Sequence, residues 1–493
     1  MGRDKIDPIT RAALRYTISP SEYEALHKYI ISRAPSRVQK CAPQPPRYEK
    51  MTKGNSEGGD YTAAALRAAL RVFGTTYLGL KAWDSLIQAV SKRPPKKSQG
   101  NARTSLSFAA ILFFYRLFDR FFRRLRLSLL DEKAIPFRKR NPLIARLLTS
   151  VYTPAVGASL SGFFLLLSPA KRLRSTLAIY SLTRSLEFVY NALENGEIIW
   201  PNGRPWWFGS WMLMPFATAQ LLHCLVFNRD CFPSSYGRLL HSNGPEYVFR
   251  KGHSLSSFDV VDALASMSTL GWPNYISPIL FPNKPTNLPP TLTKIRAITD
   301  SAHPGITNSS CALLHPKDPS CSRVYLTTIL STYPGIVKVF TIIYTALALL
   351  SYRKYKTKGL SETLNTLAAR ILKAALLATG STATCWGSAC LFANYLPRRA
   401  LPTKRWYLSG FLAGMWAVVA PKERAMFTYS ARVALQSALD VARKKGYLKR
   451  QRGLEVMLFT VALACTGCVV ETDSKSLRSN LLVKTWETGL KGM

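Results

Sequence analysis

Residues Leu408–Gln436 read LSGFLAGMWAVVAPKERAMFTYSARVALQ. An apolar run, a short charged turn and a second apolar run follow one another. Gly410 and Gly414 stand four apart, on one face of a helix. Small residues at that spacing let a second helix backbone come close, and such packing matters where lipid removes the hydrophobic drive. Pro421-Lys422-Glu423-Arg424 breaks the run and carries a proline where a new helix starts. Arg432 then falls inside the second apolar segment.

The same phrase stands earlier in the chain. Leu160-Ser161-Gly162-Phe163 repeats Leu408-Ser409-Gly410-Phe411 letter for letter. Carried on without a gap, the alignment sets Arg174 on Lys422 and Arg184 on Arg432. An internal duplication is the reading this favours. Two similar helices written in the same membrane vocabulary are the plainer alternative. Gly162, Gly410 and Gly414 are expected to be helix-packing positions.

Composition sets the class. Charged residues make up 19% of the 493 residues and hydrophobic ones 47%, fewer charges than a soluble domain carries. Lys and Arg outnumber Asp and Glu by 67 to 27, a formal net charge of +40. Such a balance suits nucleic acid or anionic lipid headgroups. The basic residues cluster at the ends of apolar runs, as at Lys171-Arg172, Arg353-Lys354 and Arg398-Arg399. That placement favours the bilayer, because Lys and Arg snorkel to the interface there. No nucleic-acid module is recognisable, so no nucleic-acid partner is expected. The N-terminal stretch has no apolar signal-peptide core, and Ile6 stands where a myristoylation signal needs Ser or Thr.

Taken in order, residues 1–60 read as a polar, partly disordered head and 61–228 as a first membrane half. Within that half Leu147–Ala170 is free of charge and longer than the ~20 residues a spanning helix needs. Leu173–Glu194 follows, with Arg184 and Glu187 three apart and able to share a helix face. Pro205–Asn228 is again free of charge and opens on Trp206, Trp207 and Trp211. Residues 229–320 hold eleven prolines and read as an extramembrane Pro-rich loop. Residues 321–471 form the second membrane half, with a kinked span at Val324–Tyr352 around Pro334-Gly335 and a charge-free run at Ala374–Pro397. Residues 472–493 are a polar tail. The expected fold is all-α: a polytopic membrane bundle of eight to ten hydrophobic helices, in two related halves joined by the long loop. Arg184, Glu187 and Arg432 are intramembrane charges in this reading, and a charge in lipid is costly enough to face the bundle interior.

Catalytic motifs are lacking: there is no P-loop, dinucleotide fingerprint, H-E-x-x-H or G-x-S-x-G. An enzyme and a cofactor are therefore not expected. Cys465 and Cys468 form a C-x-x-C inside an apolar segment, where packing is the simplest role. Cys311, His315 and Cys321 lie close together in SSCALLHPKDPSC. Zinc takes about four ligands in a closed site, and Asp318 is a poor fourth. No metal ligand is assigned on that ground. A disulfide closing the loop in an oxidising compartment and a purely structural loop remain as readings.

The segment SSCALLHPKDPSCSRVYLTTILSTYPGIVKVFTIIYTALALL, followed by FLAGMWAVVAPKERAMFTYSARVAL, resembles the transmembrane protein 135 family. Cys311, His315, Pro316, Ser320 and Cys321 match a cysteine-containing loop before a span. Phe411 to Gly414, Tyr429 and Arg432 match a later helix pair approximately. The resemblance covers residues 300–445 best. It implies a multi-pass protein of peroxisomal or mitochondrial membranes associated with lipid homeostasis and organelle dynamics. Expected partners are the anionic bilayer, a lipid-related solute, and proteins at the basic head and central loop. The alternative function is a non-transporting scaffold that recruits organelle-shaping partners.

Overall fold

Prolines set many of the helix starts in this chain. Pro8, Pro20, Pro45, Pro142 and Pro290 each open a helix, where the missing N–H costs no hydrogen bond and φ is already helical. The computed structural model describes residues 8–36, 39, 42–52, 57–91, 100–233, 257–282, 290–350, 360–447, 453–473 and 476. The fold is all-helical, and no strand forms among the described residues. Ten helices make the most extensive helix–helix contacts among the described residues. They are α1 (Glu57–Ser91), α2 (Asn101–Leu130), α3 (Thr153–Ser159), α4 (Lys171–Asn195), α5 (Leu213–Phe227), α6 (Cys321–Leu350), α7 (Leu360–Tyr395), α8 (Arg405–Gly414), α9 (Arg424–Lys444) and α10 (Leu454–Thr472). Both α3 and α8 continue as tighter 3-10 turns, Leu160–Leu167 and Met415–Val419.

Two compact units form. The first comprises residues 1–203 and 451–493. In it α1 lies along α2, α2 packs on α3 and its 3-10 continuation, and α10 packs on α3, that continuation and α4. Ile111, Leu165, Ala178, Val456 and Phe459 make its principal core. At Gly162 the α10 backbone comes close: a Cβ there would stand 3.0 Å from the Thr460 Cα. Charges near α10 are paired, Arg174 with Glu455 at 3.2 Å and Arg123 with both Glu471 at 2.9 Å and Asp119 at 3.3 Å. Where it is described, the head is helical. Three short helices close around Tyr23 and Tyr48, whose rings stack at 3.9 Å, and the Tyr48 hydroxyl donates to the Ile18 carbonyl at 3.0 Å. Burying two aromatic rings supplies what the polar composition concealed.

The charge-free run Leu147–Ala170 is not one straight helix. Pro142–Thr149 and Thr153–Leu167 meet at a bend of 84°. Ser150 leaves helical backbone at ψ 147°, and Pro154 has no N–H with which to carry the first helix on. The Thr153 hydroxyl donates to the Leu147 carbonyl at 2.6 Å and so caps that first helix.

The second unit comprises residues 204–450. Here α6 lies along α7, α7 packs on α8 and its 3-10 continuation, and α5 packs on α8 and α9. Gly410 faces Ala219, to whose Cα a Cβ would come within 2.6 Å, and Gly414 faces Pro215 as closely. The Thr218 hydroxyl donates to the Gly410 carbonyl at 2.6 Å, so backbone approach and a side-chain hydrogen bond occur together. Residues 229–320, expected as a loop with a short helix near Ser257–Leu270, form where described several short helices, among them Ser257–Thr269 and Ser309–Leu314. Their Val261, Leu264, Met267, Ile295 and Leu313 join Trp386 and Trp406 in a single core cluster. Pro290 opens one of these short helices and Pro316 follows the end of another.

The compact units thus divide the chain differently from contiguous halves at 61–228 and 321–471: α5 belongs with the second unit and α10 with the first. Among the described residues three helices are long and apolar enough to cross a membrane, Ser210–Phe227, Cys321–Leu349 and Leu454–Thr472, or four if the bent pair counts as one span. The α6 helix runs on through Pro334. Helices α4, α7 and α9, expected among the hydrophobic spans, are not in that set.

The glycines give contrasting expectations. Gly410→Val should destabilise the protein by about 1–3 kcal/mol, the usual cost of overpacking. Nothing lies within 4 Å of a Cβ on Gly335, so Gly335→Ala should hold or raise stability by up to about 1 kcal/mol. Thermal unfolding of the detergent-purified variants checks both. A Gly410→Val protein that melts with the wild type would refute the close approach.

Candidate metal centre

Cys311 lies in the Ser309–Leu314 helix, His315 caps its C-terminus, and Cys321 opens α6. Pro316 directs the chain away from the helix, since proline is poorly accommodated in a continuing turn. The residues between His315 and Cys321 form a tight loop. The Asp318 carboxylate accepts the Ser320 N–H at 2.8 Å and pairs with Arg323 at 2.8 Å. The Pro316 carbonyl accepts the His303 N–H at 2.7 Å, and the Ser320 hydroxyl accepts the Arg323 N–H at 3.4 Å. These contacts turn the three donors toward a common point.

The fourth group comes from α7. Cys390 Sγ lies 3.4 Å from His315 Nε2, across a separation of 75 residues. Cys321 Sγ lies 3.3 Å from the same nitrogen, and Cys311 Sγ lies 3.8 Å from Cys321 Sγ. The four donor atoms all fall within 4.8 Å of one another. Cys311, His315 and Cys390 are buried, and Cys321 is half-buried. All four lie within the second unit.

The surroundings orient the donors. His315 Nδ1 faces the Asp318 carbonyl at 2.7 Å. A carbonyl only accepts, so Nδ1 donates its proton there and Nε2 is the nitrogen turned toward the sulfurs. Burial opposes charge on His315, but its hydrogen bonds to the Cys311 and Cys321 thiols and to the Asp318 carbonyl raise its pKa to about 10. The Asn394 amide donates to Cys321 Sγ at 3.8 Å, and its oxygen accepts from Asn308 at 2.7 Å. One turn beyond Cys390, the α7 C-terminus is held by Arg405. Its guanidinium donates to the carbonyls of Phe392 at 3.0 Å, Leu396 at 3.3 Å, Pro397 at 2.5 Å and Ala400 at 3.1 Å. Arg405 is 1% exposed, so these carbonyls replace its water. A cation at a helix C-terminus also complements the helix dipole.

Sequence reasoning grouped Cys311, His315 and Cys321 without assigning a metal ligand, and missed Cys390. Its only sequence signal was a cysteine in the small-residue run TATCWGSAC, shared with Cys385 five residues before it. The other residues singled out in the sequence do not join this cluster. Gly162 packs in the first unit, and Gly410 and Gly414 pack in the second. Arg184 pairs with Glu187 at 2.7 Å on α4 and lies over the Phe188 ring at 5.2 Å. Arg432 is half-buried on α9. Cys465 and Cys468 lie on α10, in the first unit.

Compared with protein-family models, with curated proteins and with solved structures, the chain matches none.

Removing the Arg405 charge should loosen the turn that carries Cys390. Arg405→Met leaves four carbonyls without their donor, at about 3 kcal/mol or more by the usual strength of hydrogen bonds to a charged group. Both a lower melting temperature and faster alkylation of Cys390 are expected, read by differential scanning fluorimetry and peptide mass spectrometry. Unchanged Cys390 labelling would show that the clamp does not support the cluster.

Proposed function

We propose that the chain is a multi-pass organelle membrane protein, peroxisomal or mitochondrial, that acts in lipid-related transport or membrane homeostasis. One observation carries the membrane part. The apolar helix Cys321–Leu349 has only 11% of its most apolar window buried inside the protein. Leu330, Ile342 and Leu349 are each about 70% exposed, at 72%, 71% and 70%. An apolar surface that long needs lipid or a partner to cover it. The basic residues at the ends of the apolar runs fit an anionic headgroup layer. The resemblance of residues 300–445 to the transmembrane protein 135 family supports the organelle and the lipid role.

Two related halves fit the same reading. Helices α1 to α5 and α6 to α10 occur in the same order, and α3 and α8 share the α-then-3-10 form. In each unit the first two helices pair, the second packs on the broken third, and a closing helix packs on the third and fourth. That closing helix is α10 in the first unit and α5 in the second. The fifth helix of each proposed repeat therefore closes the unit built by the other repeat. Related halves are a common construction of transporters.

Carbonate extraction tests the membrane assignment: the protein should stay in the pellet, and release into the supernatant would overturn it. Reconstituted vesicles test the activity. Lipid or solute flux above empty vesicles is expected, and organelle-shaping activity without flux would favour the scaffold. Arg432→Ala should leave the protein inserted and abundant but lower the flux. Wild-type flux from a stable Arg432→Ala protein would make this arginine an anchor only.

A further inference from the structure

We propose that Cys311, His315, Cys321 and Cys390 form a closed Cys3His site for one zinc ion. The site stands independently of the transport reading. With the usual Zn–S and Zn–N lengths, a tetrahedral site puts sulfurs about 3.8 Å apart and sulfur and nitrogen about 3.5 Å apart. The structure has 3.8 Å between Cys311 and Cys321 Sγ, and 3.3 and 3.4 Å from His315 Nε2 to Cys321 and Cys390 Sγ. Three of the six donor pairs thus stand near the separations a zinc ion would impose, and all six lie within 4.8 Å.

Donor chemistry agrees with the distances. Thiolate and imidazole in a tetrahedral set select zinc over the hard cations magnesium and calcium. The outer contacts are those of a metal-bound histidine. Nδ1–H is held by the Asp318 carbonyl, so Nε2 is the free donor. Asn394 donates to the Cys321 sulfur, which stabilises negative charge there. Four protein donors leave no open position, so the site is structural rather than catalytic. Binding exchanges the zinc ion's bonds to water for four bonds to protein donors and sends the displaced thiol and His315 Nε2 protons to water, with no change of oxidation state.

The ion has a mechanical consequence. Cys311 belongs to the Ser309–Leu314 helix, His315 to its C-terminal cap, Cys321 to the start of α6 and Cys390 to α7. Zinc would tie the start of α6 to the C-terminal part of α7, where Cys385 and Cys390 are both free thiols. It would thereby set the point at which the apolar helix α6 begins.

Full-length protein purified in detergent, with neither chelator nor added metal, should contain one zinc per chain by elemental analysis. Cys390→Ser and His315→Ala should reduce zinc to background, while Cys385→Ser should retain it. Variants that misfold do not decide the matter alone, so the wild type supplies a second reading. Cobalt(II) exchanged into it should give the intense visible bands of a tetrahedral thiolate site. Organomercurial titration of the wild-type thiols should release zinc in proportion to modification. Several outcomes would overturn the proposal. They are a metal-free protein with four reactive thiols, a Cys311–Cys321 disulfide in the protein as isolated, an octahedral cobalt spectrum, bound iron or copper in place of zinc, or full zinc in Cys390→Ser.

Discussion

The second unit depends on one close approach, that of the α8 backbone to the α5 backbone. Gly410 and Gly414 present no side chain, and Pro215, Thr218 and Ala219 fill the space where a Cβ would be. The Thr218 hydroxyl reaches the Gly410 carbonyl, so the contact has direction as well as proximity. On the other side of α8, the Ser381 hydroxyl donates to the Ala413 carbonyl at 2.8 Å, and Gly380 makes room for the Trp416 ring. Small residues thus let α5, α7 and the broken helix pack at short range, and Thr and Ser hydroxyls supply hydrogen bonds between them. This is the packing expected of helices whose outer surfaces meet lipid, where apolar burial between helices brings little gain.

Breaking a helix has a cost that the surrounding structure must offset. Each interrupted turn leaves backbone groups without their intrahelical partners. In the first unit the Thr153 hydroxyl caps the broken helix. At the end of α7 the Arg405 guanidinium answers four carbonyls at once, in a place water does not reach. Charges elsewhere in the cores follow the same rule. Glu455 meets Arg174, Glu471 meets Arg123, and the largely buried Glu423 meets Arg370 at 2.5 Å. An unpaired charge in any of these positions would be far more costly than the pair.

The cysteine-histidine cluster lies where the helical insert 257–320 meets α6 and α7. The insert contributes most of the apolar side chains of the largest core, and the cluster sits at its C-terminal edge. Packing and donor geometry therefore act on the same junction. The insert needs both because its helices are short, and short helices have little stability of their own.

Charge-free runs and their basic ends made the helical, membrane-like character legible in the residues alone. Gly410 and Gly414 at a spacing of four foretold a close helix contact, and Arg184 and Glu187 at a spacing of three foretold a shared face. These are local signals, set by the period of a helix. The bend at Ser150 was not legible, because an uncharged run reads the same whether straight or broken. In residues 229–320 the short helix near Ser257–Leu270 was legible, but the burial of Ile295 and Leu313 in a core with Trp386 and Trp406 was not, because eleven prolines mask the apolar pattern. Cys390 escaped notice since nothing in a sequence relates it to His315, 75 positions before it. Which closing helix serves which unit was likewise decided only in three dimensions. Sequence order puts α5 after α4 and α10 after α9, yet α5 packs on α8 and α9, and α10 on α3 and α4. Periodicity reports what one helix can bury; only the folded chain determines which neighbour it is buried against.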